Sequence, residues 1–152
     1  DVGPEARGEE FTEDWLIGAL KNRRRILKPL LLDQTFLAGL GNIYVDESLF
    51  QAGLHPQRSA HLVPKDRARA LHGAIQEPLR QAIEREGSSF DAFYRTPEGQ
   101  PGSYQHLFRV YGREGKPCLE CERPIKRLVV AQRGTHICTR CQPAPRAAPR
   151  RG

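Results

Sequence analysis

The sequence contains no methionine, not even at its first position, and it opens on Asp-Val-Gly-Pro-Glu-Ala-Arg-Gly-Glu-Glu. That stretch reads as a linker, so the chain is expected to be a part of a longer protein, with residues 1–11 as the connection. The same ten residues are acidic and polar, which is not the pattern of a signal peptide. Long apolar runs are absent, so no membrane-spanning helix is expected. Apolar residues make up only 38% of the chain, enough for a modest core in one or two small domains. There is no internal repeat. Cysteine is scarce, and without a secretion signal its default state is a free or metal-bound thiol and not a structural disulfide.

What the sequence does have is positive charge. The net charge is +6 and the isoelectric point is near 9.5. A basic surface points to an anionic partner: nucleic acid, an acidic protein or an anionic membrane.

Periodicity divides the chain into a helical part and a small β part. Thr12 suits a helix N-cap, with Glu13 and Asp14 in the first turn, and Trp15, Leu16, Ala19 and Leu20 recur at helical spacing to about Arg24. Pro29 suits a first helical position ahead of Leu30, Leu31 and Leu32. Gly39 and Gly41 permit positive backbone dihedrals. Asn42 then caps a helix through Ile43, Leu49 and Phe50 that Gly53 closes. Asp46 and Glu47 on that helix read as surface acids. A long amphipathic helix is expected from about Pro64 to Glu86, with Leu71, Ile75, Leu79 and Ile83 as its stripe and a kink at Pro78. Residues 88–93 suit one further turn. Residues 95–106 form a loop rich in Gly and Pro. Short strands are expected at Phe108–Val110, Leu128–Ala131 and His136–Cys138, with Arg133-Gly134 as a hairpin tip. The tail, residues 143–152, is Pro, Ala and Arg and is expected to be disordered.

The β part has too few large apolar residues to hold itself together by burial. Its staple is Cys118-x2-Cys121 and, sixteen residues later, Cys138-x2-Cys141. Two tight turns bringing two thiolates each give a tetrahedral set that suits one structural zinc ion with no open position for water. Two disulfides, or iron on the same four sulfurs, are the alternatives. His136 reads as a strand residue beside a completed shell. An arginine at a rigid hairpin tip, Arg133, can grip a phosphate or enter a groove, or can be a solvated surface residue. Gly41 and Asn42 place free N–H groups at a helix start, a ready anion site, with Arg23, Arg24, Arg25 and Lys28 near in sequence. An ordinary cap beside a solvated basic face is the plainer reading. Tyr94, Tyr104 and Tyr111 could stack on bases, although Tyr111 fits a core position as well.

Together these segments resemble a known family. Leu40-Gly-Asn-Ile-Tyr-Val-Asp-Glu-Ser-Leu-Phe-Gln-Ala-Gly-Leu-His-Pro56 resembles the helix–two-turn–helix signature of formamidopyrimidine-DNA glycosylases, and so does Ile26-Leu-Lys-Pro-Leu-Leu-Leu-Asp-Gln34 before it. Val110-Tyr-Gly-Arg113, the four cysteines and Ala131-Gln-Arg-Gly-Thr-His136 resemble the zinc-finger half of the same family. The likeness spans about residues 3 to 142. It implies a mainly α fold with a small β part: a helix–two-turn–helix domain over residues 12–106, then a zinc finger over 107–142. It also implies the DNA-binding half of an enzyme that removes oxidised purines (8-oxoguanine, formamidopyrimidines) and cuts the abasic strand by β,δ-elimination.

By motif, Lys28 and Asn42 match residues that hold the phosphates flanking the flipped nucleotide, and Arg23 a basic DNA-contacting position. Arg133 matches the arginine that binds phosphate and donates the proton for δ-elimination. Residues of about 87–104 match a segment that closes over the extruded base. The family's nucleophile, an N-terminal proline with a glutamate beside it, is not in this sequence. This chain alone is therefore expected to be inactive and to partner the N-terminal catalytic domain of its parent. The expected partner is double-stranded DNA with oxidised bases, with no membrane, and the expected state is a monomer in the bacterial cytoplasm, at the nucleoid. A stand-alone, non-enzymatic nucleic-acid-binding module is the alternative; a zinc ribbon for protein contacts is a third reading.

Overall fold

The computed structural model describes residues 2–77 and 108–145. The expected long helix does not run on through Pro78: it ends at Gln76, and Glu77 is extended (ψ 130°), the backbone that a following proline favours. Leu79 and Ile83, the turn at 88–93, and the loops at 95–106 and 87–104 with Tyr94 and Tyr104 lie outside these residues, as does the tail from 146 on.

Four α-helices are described: α1 (Glu13–Lys21), α2 (Leu27–Leu32), α3 (Asn42–Ala52) and α4 (Lys65–Gln76), with a 3-10 turn at Ala60–Leu62. Two antiparallel strands follow, β1 (Lys126–Val130) and β2 (Arg133–Ile137). None of the described helices is long and apolar enough to cross a membrane.

Thr12 caps α1 as expected, its Oγ1 accepting from the Trp15 N–H at 3.0 Å. Leu16 and Leu20, four residues apart, face the core. The helix stops at Lys21, short of Arg24. In α2, Pro29 is the third residue and not the first. The first N–H groups of a helix have no partner inside it, so a proline there costs nothing. The N–H groups of Leu27 and Lys28 are spent on the carbonyls of Arg58 and Pro56, at 2.9 and 3.0 Å.

Gly41, not Asn42, is the N-cap of α3, and its extended backbone (φ −98°) would suit any residue. Gly39 is the position that needs glycine, at φ +101°. At the other end Gly53 is the expected left-handed cap, at φ 70° and ψ 30°. Nearly all of α3 is buried, including Asp46, Glu47 and Ser48. The expectation of surface acids fails because α3 has neighbours on every side: α2 and α4 within the helical part, β2 across from it.

Residues 2–11 are docked on the helical part. The Ala38 N–H donates to Pro4 O at 2.9 Å, the Ala6 N–H to Ala38 O at 2.8 Å, and Ala6 and Phe11 are buried. From α4, His72 Nε2 meets Phe11 O at 2.9 Å and Gln76 Nε2 donates to Ala6 O at 2.8 Å.

The hairpin differs from expectation at its tip. Val130 pairs with Arg133, so the two turn residues are Ala131 and Gln132, at φ 49° and 68°. Two consecutive positive φ angles make the turn whose twist matches a two-residue hairpin. Glycine normally occupies such positions, which is why Gly134 drew the prediction. Arg133 is instead the first residue of β2. Phe108–Val110 does not form a strand; the Arg109 and Val110 N–H groups are taken by the Glu47 carboxylate.

Candidate nucleic-acid interface and zinc site

The four cysteines converge. Their sulfurs all lie within 4.8 Å of one another, with Cys118 and Cys141 at 3.9 Å and Cys121 and Cys138 at 3.4 Å. A tetrahedron with metal–sulfur bonds of about 2.3 Å has edges of about 3.8 Å. None of the four is disulfide-bonded, which removes the two-disulfide reading. The local turns serve the sulfurs too: the Glu120 N–H points to Cys118 Sγ and the Cys141 N–H to Cys138 Sγ, each at 3.3 Å. Burial pushes the Cys138 and Cys141 thiols up, whereas a backbone hydrogen bond at Arg123 pulls the Cys121 thiol down; a cation among the sulfurs favours the thiolate form. The donor set fits one structural zinc ion.

The zinc module is bound to α3 by residues one helical turn apart. Phe50 is buried with Val110, Ile125, Cys118 and Cys138 in the module's small core. Glu47 spans the junction: its Oε1 accepts the Arg109 N–H at 2.8 Å, and its Oε2 accepts those of Val110 and Tyr111 at 2.9 and 2.8 Å. Gln142 is wholly buried; its Oε1 accepts from the Cys138 N–H at 2.9 Å and its Nε2 donates to Leu54 O at 3.0 Å.

The third connection lies under the hairpin tip. Lys28 is wholly buried, and its Nζ donates to Asp46 Oδ1 at 2.7 Å, Thr135 Oγ1 at 2.9 Å and Gly134 O at 3.1 Å. Asn42 Nδ2 donates to the same Gly134 carbonyl at 3.1 Å. Asp46 Oδ2 accepts the His136 N–H at 3.0 Å and lies 3.1 Å from its Nδ1. The other His136 nitrogen is 3.4 Å from Glu114 Oε1, and the Tyr111 ring lies edge-on to the imidazole with centroids 4.8 Å apart. Burial pulls the Lys28 ammonium below the ordinary lysine range; Asp46 opposes that and the Arg133 guanidinium adds to it.

Of the residues predicted from sequence, Lys28 and Asn42 are thus brought together with the backbone beside Arg133. Arg133 itself is exposed. Asn42 is the first residue of α3, so its bond to Gly134 sets the helix start beside the same hairpin. Arg23 takes no part in this network; it is exposed, with its guanidinium 5.3 Å from the centre of the Phe36 ring. Sequence reasoning missed Asp46 and Glu47. The available signal was spacing: Asn42, Asp46 and Phe50 stand four apart, on one face.

The arrangement places a helix start and an exposed arginine from another module on one rigid frame. Matches to known proteins follow the same division. Residues 2–93 match the formamidopyrimidine-DNA glycosylase H2TH domain, and residues 115–144 match the zinc finger found in FPG and IleRS. The formamidopyrimidine-DNA glycosylase of Thermus thermophilus is 49% identical over 142 residues, which is 93% of this chain and 53% of that protein. That of Symbiobacterium thermophilum is 45% identical over 145 residues, covering 95% of this chain and 47% of that one. The crystal structure of the Thermus thermophilus protein superposes with a TM-score of 0.77 at 46% identity, over 93% of this chain and 53% of the other. A Lactococcus lactis Fpg complex with abasic-site DNA gives 0.79 at 38% identity, over 94% and 52%. This chain spans about half the length of these relatives. On the strength of both halves, helical and zinc-binding, the chain belongs to the formamidopyrimidine-DNA glycosylase family.

Proposed function

We propose that this chain is the DNA-binding half of a base-excision-repair enzyme, a glycosylase that removes oxidised purines and cleaves the abasic strand by β,δ-elimination. The observation that carries the reading is the shared Gly134 carbonyl. Lys28 and Asn42 both donate to it, at 3.1 Å each, and so lock the hairpin bearing Arg133 against the start of α3. Extruding a base from the stack costs a few kcal/mol. Gripping the backbone from two elements offsets that cost: first-turn N–H groups and the positive end of α3 on one side, Arg133 on the other. The proposed partner is double-stranded DNA. The Lactococcus lactis relatives, crystallised with abasic-site and Fapy-dG DNA, support it.

Arg133 is then both a phosphate ligand and the proton donor for δ-elimination. Arg23 adds a peripheral contact, and residues 87–104 close over the extruded base. The proline nucleophile belongs to the catalytic domain of the parent protein, which works as a monomer in the cytoplasm. This chain alone forms no adduct that borohydride can trap.

Fluorescence anisotropy on a duplex carrying an abasic analogue tests the reading. Arg133→Ala is expected to weaken binding by ~1–3 kcal/mol. Affinity should also fall steeply with salt, by a logarithmic slope of about −0.9 for each phosphate neutralised. Unchanged affinity in the variant, together with a flat salt response, would overturn the proposal.

A further inference from the structure

The resemblance assigns Lys28 to DNA phosphate, but its surroundings assign it elsewhere. An ammonium has three N–H donors. All three of Lys28's are used inside the protein, and the side chains of both Lys28 and Asp46 have no exposed surface. The bonds that the pair makes to β2 fall on consecutive residues. Lys28 bonds Gly134 and Thr135, and its partner Asp46 bonds His136. These are the three residues that follow Arg133.

We propose that the buried Lys28–Asp46 pair is the positioning element for Arg133: it sets the register of β2 and so aims the guanidinium, without touching DNA itself. The proposal rests on reading Arg133 as a phosphate contact. Thr135 supplies the direct link. Its hydroxyl accepts from Lys28 Nζ and donates to the Arg133 carbonyl, both at 2.9 Å. On the other side of Arg133 stands the tight turn of Ala131 and Gln132, held at positive φ. The arginine backbone is therefore held from before and after.

Register is what such a device protects. A slip of one residue would turn Arg133 to the opposite face of the hairpin. The module's small apolar core, Phe50, Val110 and Ile125, is clustered with two of the cysteines, and beside the tip Val130 is the buried apolar residue. A buried ion pair adds little net stability over apolar replacements, and its best-attested use is to fix register. A side chain already held in its binding position also loses less freedom when the ligand arrives.

The test is a double-mutant cycle on the zinc-loaded full chain, read by anisotropy with a duplex carrying a tetrahydrofuran abasic analogue. Lys28→Met/Asp46→Asn removes the charges without leaving one unpaired, and is expected to weaken binding about tenfold when Arg133 is present. In an Arg133→Ala background the same change should cost less than about twofold. Equal penalties in the two backgrounds would overturn the proposal, since Lys28 would then act independently of Arg133. Should the paired variant lose zinc or fail to fold, Thr135→Val keeps the ion pair and cuts only the link; about a threefold loss confined to the Arg133 background supports the proposal, and no loss refutes it. If Arg133→Ala itself leaves affinity unchanged, the reading of Arg133 as a DNA contact fails. Hydrogen exchange at the Thr135 and His136 amides of the DNA-free chain then decides: exchange about tenfold faster in the paired variant supports positioning, and unchanged exchange refutes it.

Discussion

The helical part and the zinc module solve the same problem by different means. The helical part has a broad apolar core in which Leu16, Leu20, Leu27, Leu30, Leu31, Leu37, Leu49 and Leu71 are all buried. Its backbone groups find partners by ordinary caps and turns. The zinc module has Val110, Ile125, Val130 and Ile137, two buried cysteines and a phenylalanine lent by α3. It offsets that poverty with a metal and with side chains from the other part: Glu47 on three of its N–H groups, Lys28, Asn42 and Asp46 on its hairpin. The difference teaches that the boundary between the parts is not a boundary in energy. α3 belongs to both cores.

Zinc removal should have the largest effect on the coupling between the two parts. Replacing Cys138 by Ser, or chelating the metal, is expected to abolish binding of about one zinc per chain and with it DNA binding. The helical part should keep most of its far-ultraviolet helix signal, but melt earlier, because Asp46, Glu47 and Phe50 lose their cover. Unchanged melting of the helical part in the metal-free chain would restore the boundary.

Glu47→Ala sharpens the same point from the other side. It leaves three N–H groups, one of them buried, without the carboxylate that now accepts from them, so a loss of roughly 3 kcal/mol or more is expected in denaturant unfolding of the zinc-loaded chain. A loss below about 1 kcal/mol would mean that water replaces the carboxylate.

The smallest effect lies wholly within the helical part. The side-chain hydrogen bond from Thr35, then that from Arg25, hold the Asp33 carboxyl at about 2, below its usual 3.8. A depressed carboxyl contributes stability that is complete above the unfolded value and is lost as pH falls toward the folded one. Melting temperature should therefore decline modestly between about pH 4 and pH 2, and Asp33→Asn should flatten that decline. A variant with an identical pH profile would remove Asp33 from the account.

Much was legible in the chain itself. Thr12, Gly53 and the spacing of Leu16, Leu20, Leu71 and Ile75 announce helices, because capping and amphipathic periodicity are local properties. Cys118, Cys121, Cys138 and Cys141 announce the zinc site, because paired spacing already brings two sulfurs together on each turn. Arg133 stood out as a hairpin-tip arginine, and the resemblance decided between a DNA contact and a plain surface residue. The hairpin tip was displaced by two residues because glycine marks a turn only when no stronger constraint intervenes. Here Gly134 is a strand residue paired with Val129, and its carbonyl accepts from Lys28 and Asn42.

The order of residues was enough to say where helices begin, where the metal binds and to which family the chain belongs. Only the tertiary structure decided that Asp46 and Glu47 are buried, that Lys28 turns inward, and that Asn42 serves a hairpin and not its own helix end. The reason is physical. Caps, periodicity and ligand pairs act over a few residues, and their signals survive in the order of the chain. A buried charge is tolerated only when its partners arrive from elsewhere: those of Lys28 stand 18, 106 and 107 residues away, and those of Glu47 62 to 64.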